Sequence, residues 1–409
     1  MTTDRGPLDG VRVVEVANMI AGPSAAALMA DLGATVVKVE PPTGDILRNG
    51  HRPLDPSYDR PHPDPWWQLD NRGKQGVVVD LTTDAGVAVV HRLAAGADVF
   101  LTNLTDERRA RYRLMPDDIR AVAPTVVYAH VGGYGSAGPV AGAPAYDMTA
   151  FFARGGVQGV IGQPDDPPHA FRPGQGDHTT ALALLASILA ALRQRERDGT
   201  FQSVQVALYQ VATWTLSSDL TVTLLDGAPL QPLARADWPT PLTCRFRCAD
   251  GRWLALCMPG PKDYWDNFCV ALDRLEWTTD PRYADAAERF RHGPELVAAC
   301  DPVFAGRTRA DWADRLDAAG VIWAPVQSLT EITEDPQAAA LGIFTTLEDP
   351  ETGTTFRTVA APFHIDGAHV AVRGPAPRLG EHTRAVLGDA GYAPDEIERL
   401  VADGVVGTD

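Results

Sequence analysis

The sequence predicts an α/β protein built around a mostly parallel β-sheet with helices on both of its faces. Runs of β-branched residues alternate with helix-forming segments from Val11 to His130. Proline- and glycine-rich stretches interrupt this pattern at residues 41–65 and 132–144. Such alternation is typical of βαβ units, in which crossover helices cover a parallel sheet. Because ligands of open α/β sheets bind beyond the carboxyl ends of the strands, we expect the functional site near these two stretches.

The individual elements follow from hydrophobic periodicity and from turn residues. The first unit starts with a β-branched strand, passes through Ala21-Gly22-Pro23-Ser24 into a small-residue helix closed by Gly33, and ends in a strand stopped by Pro41. The predicted strands are 11–16, 35–40, 76–81, 98–102 and 125–130, and the predicted helices are 24–32, 83–94, around 117–122, and 177–195.

The residue pattern of the sequence changes from about Trp214 onward. Hairpin-like strands, several tryptophans and proline-rich connections follow one another there. We therefore expect a linker at residues 209–240 and a smaller α+β domain at residues 241–318. Residues 319–409 then resume longer helical and extended segments.

Composition and charge exclude several classes of protein. The chain has 409 residues, 45% of them apolar, as in ordinary globular proteins. Its formal net charge of −17 repels nucleic-acid phosphates, so no nucleic-acid partner is expected. The longest apolar run, residues 181–192, is shorter than the ~20 residues of a membrane-spanning helix, so no membrane partner is expected. Because the first residues carry no apolar leader, we expect a cytoplasmic location.

Five cysteines lie in the second half of the chain, an odd number that fits a reducing compartment better than a disulfide framework. Cys244, Cys248 and Cys257 lack the paired spacing and the fourth ligand of a zinc site. We interpret them as small apolar residues in a hairpin that turns at 249–252. No metal and no permanently bound cofactor are expected.

A dinucleotide site is the first alternative that the opening unit suggests, since Glu40 ends the second strand where a ribose-binding acid would stand. The turn, however, reads Ala21-Gly22-Pro23 instead of a GxGxxG pattern. Pro23 also lacks the amide donor that a phosphate would need. Both features disfavour NAD binding.

Two acids that follow glycine-rich segments are candidates for chemistry. Asp177 follows Gly174-Gln175-Gly176 at the start of a helix, and Asp147 follows the glycine loop 132–135. Either acid alone could be an ordinary helix cap. Together they could divide the roles of nucleophile and proton carrier in one cleft. His178 could be a general base or a bystander. Asn103 and Arg111, around the charged turn 105–109, could bind a phosphate at a strand end or belong to a solvated helix face.

Several motifs occur in an order that resembles the class III CoA-transferase family, which includes formyl-CoA, carnitine and bile-acid CoA-transferases and the related α-methylacyl-CoA racemases. The resemblance covers essentially the whole chain. The motifs are Pro7-Leu-Asp-Gly-Val-Arg-Val, Ala21-Gly22-Pro23, Asp31-Leu-Gly-Ala-Thr-Val-Val-Lys-Val-Glu40, Asn71-Arg-Gly-Lys74, Val79-Asp-Leu81, Tyr146-Asp147, Gly176-Asp177 and Leu379-Gly-Glu-His-Thr383.

The resemblance implies a Rossmann-like large domain built from both chain ends, residues 1–208 and 319–409, with the small domain between them and two interlocked subunits in a homodimer. It implies that CoA moves from an acyl-CoA donor to a carboxylic acid acceptor, with Asp177 as the nucleophile. Coenzyme A and acyl-CoA would then be substrates. The implied CoA contacts are Ile20, Ala21, Val79, Asp80, Leu81, Thr82, Asn103, Leu104, Thr105, Arg111, Pro144, Ala145, Tyr146 and Asp147.

Departures from the family pattern narrow the range of expected substrates. Ile20 stands where the formyl-CoA enzyme has a glutamine, Pro41 stands where it has an arginine, and no glycine-rich lid is visible. These differences argue against formyl and oxalyl substrates. The racemases have a histidine where this chain has Tyr146, and a tyrosine with a pKa near ~10 is a poor base at neutral pH. A racemase or a non-catalytic acyl-CoA-binding protein therefore remains the alternative.

Overall fold

The computed structural model describes residues 6–49, 64–227, 231–259, 264–349, 352–366 and 368–408. Contacts among them divide the chain into two compact units. The first unit comprises Met1–Gln158, Ala170–Ala228 and Ala339–Asp409, and the second comprises Gly159–His169 and Pro229–Ala338. The sequence-based division of the chain at residues 208, 240 and 318 stays a prediction.

Strands and helices alternate through the first part of the chain. The strands are β1 Arg12–Val16, β2 Thr35–Glu40, β3 Gln75–Val79, β4 Val99–Thr102, β5 Val127–Gly132, β6 Gln202–Ala207, β7 Arg245–Arg247, β8 Trp253–Leu256, β9 Trp323–Val326, β10 Phe344–Glu348, β11 Thr355–Val359, β12 His364–Ile365, β13 Ala368–His369 and β14 Val406–Gly407. The α-helices are α1 Ala21–Asp31, α2 Pro65–Asn71, α3 Asp84–Ala95, α4 Asp106–Arg111, α5 Pro116–Val122, α6 Val157–Val160, α7 Gln175–Asp198, α8 Leu208–Thr215, α9 Ser217–Asp226, α10 Trp265–Ala271, α11 Ala286–Arg291, α12 Gly293–Phe304, α13 Arg309–Ala318, α14 Leu329–Glu334, α15 Pro336–Ala340, α16 Thr383–Asp389 and α17 Pro394–Ala402.

The central sheet confirms the predicted α/β class. Within the described residues it has seven strands in the order β14-β3-β2-β1-β4-β5-β6, and every neighbouring pair except β14 with β3 is parallel. Chain order reverses at β1, which has β2 on one side and β4 on the other. The carboxyl ends of β1 and β4 therefore open a crevice of the kind in which α/β proteins bind ligands.

Alternate residues of the strands enter two separate apolar cores. Val13 of β1 packs into the core that contains α1 and α7 residues, whereas Val14 and Val16 pack into the core that contains α3 and α17 residues. This alternation follows from the two-residue period of a strand. Each fully buried valine contributes roughly 1.5–3 kcal/mol, so these cores fix the sheet that positions the site.

A buried ionic cluster lies beneath the same crevice. Glu15 of β1 pairs with Lys38 of β2 at 3.1 Å and with Lys74 at 2.7 Å, and Lys38 also pairs with Asp45 at 2.9 Å. Burial lowers the pKa of Lys74 to about 8, although Glu15 opposes the shift. Since removing one partner of a buried pair leaves an uncompensated charge, the cluster locks β1, β2 and the segment before α3 into one arrangement.

Two local expectations about the first unit need correction. The helix after β1 starts at Ala21, three residues before the expected Ser24, because the Ser24 hydroxyl donates a hydrogen bond to Asp70 instead of capping the helix. The charged segment 105–109, expected to be a turn, contains most of α4, whose first turn is capped by the Thr105 side chain.

The second unit has its own apolar core and confirms the predicted hairpin. Strands β7 and β8 pair antiparallel around the turn at 249–252, and β9 pairs antiparallel with β8. Cys244 and Cys248 are buried in this core, beside a stacked Phe246–Phe304 pair with ring centroids 4.4 Å apart. Cys244 and Cys248 therefore act as small apolar residues, as expected, whereas Cys257 is exposed after β8 and does not.

No helix in the described ranges combines the length and apolar character needed to cross a lipid bilayer.

Candidate active site

Asp177 lies in the first turn of α7, at the carboxyl end of the sheet. Gly174 precedes this helix with a φ of 95°, a left-handed conformation that glycine adopts without steric cost. The left-handed residue redirects the incoming chain so that the N-terminus of α7 faces the crevice beyond β1 and β5. Partial positive charge at a helix N-terminus favours an anionic side chain at this place.

Gly176 allows the first turn of α7 to pack closely against the preceding segment. A β-carbon at this position would lie 2.7 Å from Cγ of Phe151 and 2.9 Å from Cβ of Asp147. Phe151 belongs to a π-helical segment, Met148–Ala153. Side chains of the protein, and not a ligand, therefore occupy the space that this glycine leaves open.

Asp147 has a structural partner that the sequence did not reveal. Its Oδ2 accepts a hydrogen bond of 2.7 Å from the backbone N–H of Gly174, and its side chain is 1% exposed. Tyr146, the residue before it, is 61% exposed and lines the adjacent cavity. The two neighbours thus face different surroundings, with the acid inside the protein and the phenol at the cavity.

Burial raises the pKa of Asp177 to about 7. The negative charges of Asp147 and Asp70 raise it as well, whereas the neighbouring His178 lowers it. A carboxyl group with this pKa is partly ionised at neutral pH and more basic than an ordinary aspartate. Such perturbed carboxyl groups are concentrated in functional sites.

His178 belongs to a chain of hydrogen bonds that joins three helices. Its Nε2 lies 3.0 Å from Oδ1 of Asp70, and the Ser24 hydroxyl donates to the same oxygen at 2.6 Å. Burial lowers the pKa of His178, but the hydrogen bond to Asp70 and the charges of Asp70, Asp177 and Asp147 outweigh it, so the net direction is upward. The sequence left open whether His178 takes part in the site.

A cavity of about 590 Å³ lies beside Asp177. It opens above the carboxyl ends of β1, β2, β4 and β5, within the first unit. Its volume is in the range of 300–1,000 Å³ that is common for pockets of small organic ligands. Of the residues expected from the sequence, those that line it are Ala21, Asn103, Leu104, Thr105, Pro144, Ala145, Tyr146 and Asp177.

Several other expected residues do not line this cavity. Ile20 is buried in an apolar cluster with Leu47 and Trp67. Val79 is fully buried in β3, where it pairs with Val406 of β14. Asp80, Leu81 and Thr82 follow β3, which lies two positions away from β1 in the sheet, and Asp80 accepts hydrogen bonds from Thr82.

Arg111 is the last residue of α4, and its side chain is exposed outside the lining of the cavity. Arg108, one turn earlier on the same helix, lines the cavity instead.

Three acids of the cavity lining are already paired: Glu40 with Arg48, Asp45 with Lys38 and Asp106 with Arg109. Within the described ranges Arg108 has no such pair, so its charge is available to an anionic ligand.

The sequence interpretation missed further lining residues. Asn18 and Met19 follow β1, and Met19 has a left-handed φ of 62°, uncommon for this residue type. His130 lies at the end of β5, where burial lowers its pKa to about 4, so it is neutral. The position of these residues directly after predicted strands was the available signal. Groups of His, Cys, Asp and Glu able to hold a metal are absent from the described residues.

Comparison with known proteins identifies the family. The family model described as "CoA-transferase family III" matches residues 8–383. The (R)-2-hydroxy-4-methylpentanoate CoA-transferase of Clostridioides difficile is 31% identical over 98% of this chain and 99% of its own length, and the cinnamoyl-CoA:phenyllactate CoA-transferase of Clostridium sporogenes is 31% identical over 98% of both chains. A crystal structure of a CAIB/BAIF family protein from Brucella suis superposes with a TM-score of 0.82 at 27% identity, covering 95% of this chain and 100% of that one. The chain therefore belongs to CoA-transferase family III and is an enzyme of that class.

Proposed function

We propose that this enzyme moves CoA from an acyl-CoA thioester to a free carboxylic acid through covalent intermediates on Asp177. The observation that carries the proposal is the placement of the Asp177 carboxyl at a helix N-terminus, facing a cavity of about 590 Å³ above the carboxyl ends of the strands. The raised pKa of this carboxyl supports it, since a more basic carboxylate is a stronger nucleophile.

The reaction proceeds in four exchanges. A carboxylate oxygen of Asp177 attacks the thioester carbon, which forms a mixed anhydride and releases CoA thiolate. The thiolate attacks the aspartyl carbonyl, which forms an aspartyl-CoA thioester and releases the donor acid as a carboxylate. The acceptor carboxylate attacks this thioester, which forms a second anhydride and releases the thiolate again. The thiolate then attacks the acyl carbonyl, so that the new acyl-CoA leaves and Asp177 is a carboxylate once more.

Each exchange passes through an oxyanion that needs stabilisation. The first N–H groups of an α-helix have no partners within the helix. The first N–H groups of α7 would donate to the developing negative charge. Asp147 contributes indirectly. It accepts a hydrogen bond from the backbone N–H of Gly174 and so fixes the direction of the first turn of α7.

Coenzyme A would occupy the cavity next to Asp177. We propose contacts with Ala21, with the segment 103–105 after β4 and with the segment 144–146. Arg108 would bind a CoA phosphate, for which the planar guanidinium offers two parallel hydrogen bonds. Contacts of CoA with Ile20, with residues 79–82, with Arg111 and with Asp147 stay predictions from the family resemblance, since these residues do not line the cavity.

Bulky apolar acids are the substrate class that we propose to test first. The two CoA-transferases reported above are named for 2-hydroxy-4-methylpentanoate and for cinnamoyl-CoA and phenyllactate. Met19, Val39 and Ile46 give the cavity an apolar side, and Ile46 is 69% exposed. A screen of acyl-CoA donors against carboxylic acids, read by mass spectrometry, would rank the substrates.

We also propose that the enzyme is a homodimer with interlocked subunits. Helix α9 has no buried residue within the described chain. Two of its large apolar side chains, Leu224 and Leu225, are 84% and 79% exposed. Trp214 of the preceding helix is 78% exposed. Clustered apolar residues of this size are typical of protein interfaces. Light scattering should give the mass of a dimer for the native chain and a lower mass for Leu224→Glu/Leu225→Glu.

The decisive experiment traps the covalent intermediate. Incubation with an acyl-CoA and then with hydroxylamine should convert Asp177 into a hydroxamate, detected in its peptide by mass spectrometry. Asp177→Ala should abolish transfer while CoA still binds. Transfer that persists in this variant would contradict the covalent role, and exchange of the substrate α-proton with deuterated solvent, without an acceptor acid, would indicate a racemase.

A further inference from the structure

A hydrogen-bonded carboxylate and imidazole stand next to the proposed nucleophile, and the four exchanges described above do not use them. Asp70 of α2 is 2% exposed, and its Oδ1 lies 3.0 Å from Nε2 of His178 on α7. The Ser24 hydroxyl of α1 donates to this oxygen at 2.6 Å. Each of three packed helices thus supplies one member of the chain Ser24–Asp70–His178, which fixes the place of the imidazole.

The charges around His178 favour the protonated form of its imidazole. Asp70 faces it from α2, Asp177 is its neighbour on α7, and Asp147 faces it from the segment that precedes the π-helical turn. The charges of these three carboxylates raise the pKa of His178. An isolated buried carboxylate is costly, and a nearby positive charge reduces this cost.

We propose that Asp70 and His178 are positioning residues for Asp177: Asp70 keeps the imidazole of His178 in place and favours its protonated form, and the imidazolium favours the carboxylate form of Asp177 while a second anion, the acceptor acid, approaches. The inference rests on the function proposed above and deepens it. Adjacent residues on a helix point about 100° apart, so His178 does not take the place of a general base for Asp177. It acts through its charge, and it forms no bond to the substrate.

The need for such a cation follows from the reaction. The nucleophile, the acceptor and the leaving thiolate are all anions, and each must be present in its charged form in the same site. Without a positive charge next to Asp177, its carboxyl would hold a proton up to a higher pH than in the native enzyme, and so over a wider range in which the acceptor is already ionised. A protonated carboxyl group is a poor nucleophile, so the transfer rate would fall most at low pH.

The test compares His178→Gln with His178→Lys, which retains a cation, and with Asp70→Asn, which retains an acceptor but removes the negative charge. Rates of transfer and of formation of the Asp177 hydroxamate are measured from about pH 5.5 to 9. For His178→Gln the acidic limb of the pH–rate profile should move to higher pH by about one unit or more, so its loss of rate at pH 6 should exceed that at pH 9 roughly tenfold. Asp70→Asn should move the limb in the same direction but by less, because the direct effect of the Asp70 charge, which raises the pKa of Asp177, is removed at the same time. His178→Lys should restore part of the rate at pH 6.

The double variant should lose no more than His178→Gln alone, because Asp70 supports Asp177 only through the imidazole that this variant already lacks. His91→Gln, on α3 at the opposite face of the sheet, is the matched control and should keep the native profile. Ser24→Ala removes only one hydrogen bond and should give a smaller shift in the same direction, which keeps the test open if Asp70→Asn folds poorly.

A loss of rate in His178→Gln that is equal at all pH values, or an unchanged profile, would overturn the inference. In either case a native enzyme that still forms the hydroxamate leaves the proposed function intact. A native enzyme that forms no hydroxamate would instead contradict the proposed function itself.

Discussion

Asp147 accepts a hydrogen bond of 2.7 Å from the backbone N–H of Gly174, so one buried acid holds the residue from which the helix carrying Asp177 begins. The same acid raises the pKa of Asp177 through its negative charge. Asp147 thus has two effects on Asp177 that can be separated experimentally. The hydrogen bond fixes the position of the carboxyl group, and the charge sets its affinity for a proton.

Substitutions of Asp147 should separate these two effects. Asp147→Asn keeps an oxygen acceptor for Gly174 but removes the charge, so the pKa of Asp177 should fall and the acidic limb of the transfer profile should move to lower pH. Asp147→Ala also leaves the Gly174 N–H unpaired, which costs about 1–3 kcal/mol of folding free energy. Its transfer rate should fall at every pH. Transfer profiles and thermal melts of the two variants measure both effects, and identical profiles would contradict this division.

Gly176→Ala tests whether α7 depends on close packing at its first turn. The added β-carbon would meet Phe151 at 2.7 Å and Asp147 at 2.9 Å, so either the helix or the π-helical segment must move. We expect a destabilisation of about 1–3 kcal/mol and a lower transfer rate, because Asp177 moves with the turn. The measurements are thermal unfolding and initial rates.

Gly388→Ala is the matched control for this change. Gly388 also lies in a helix, α16, but no atom lies within 4 Å of the place where its β-carbon would stand. Alanine has the higher helix propensity, so this variant should be as stable as the native protein or slightly more stable. Equal losses in Gly388→Ala and Gly176→Ala would show that packing at Gly176 is not the cause.

Periodicity and turn residues were sufficient to predict the main elements of the first unit. The strand Thr35–Glu40 was predicted with its observed bounds, and the long helix after the glycines was predicted from its apolar run. Helix α4 was not predicted, since its sequence Asp-Glu-Arg-Arg-Ala-Arg offers no apolar face. The parallel sheet was predicted from the alternation of strands and helices along the chain.

The site could be predicted only where its residues follow strands or start helices. Asp177 was recognisable from its glycines, and Asn103 from its place after β4. The contact between His178 and Asp70 joins residues that are 108 positions apart. Only the packing of α1, α2 and α7 brings them together, and a single sequence carries no signal for that. The direction of Arg111, away from the cavity, depends in the same way on where α4 starts.

Arg108 and Arg111 offer a direct comparison of a lining and a non-lining residue on one helix. Arg108→Gln should raise the KM for acyl-CoA, roughly tenfold or more if a phosphate contact is lost, with a smaller change in kcat. Arg111→Gln should leave the KM within about twofold, because its side chain lies outside the cavity lining. Steady-state kinetics with acyl-CoA and with the matching acyl-pantetheine check the assignment. The effect of Arg108→Gln should disappear with acyl-pantetheine, which lacks the nucleotide phosphates, and an equal effect on both substrates would exclude a phosphate contact.

Asp177 should reduce the stability of the folded protein as the pH rises. Its folded pKa of about 7 lies above the ordinary aspartate value of 3.8, so the folded state retains a proton that the unfolded chain releases between these values. The stabilisation is therefore fully present below about pH 4 and is lost as the pH rises through 7. Asp177→Asn cannot ionise, so it should be more stable than the native enzyme at pH 8, by on the order of 2–4 kcal/mol, and the difference should vanish near pH 4.

Asp198→Asn, at the other end of α7, should show the opposite sign. Hydrogen bonds from the Thr200 backbone and hydroxyl lower the pKa of Asp198, so its contribution to stability is present above its unfolded pKa and is lost as the pH falls through the folded value. Asp198→Asn should therefore lower the melting temperature at pH 8. Melting temperatures of the native enzyme and both variants from pH 4 to 8 give the comparison. If Asp177→Asn were destabilised at pH 8 as well, the Asp177 carboxylate would be stabilised by the fold, and its pKa would lie below the ordinary value instead of above it.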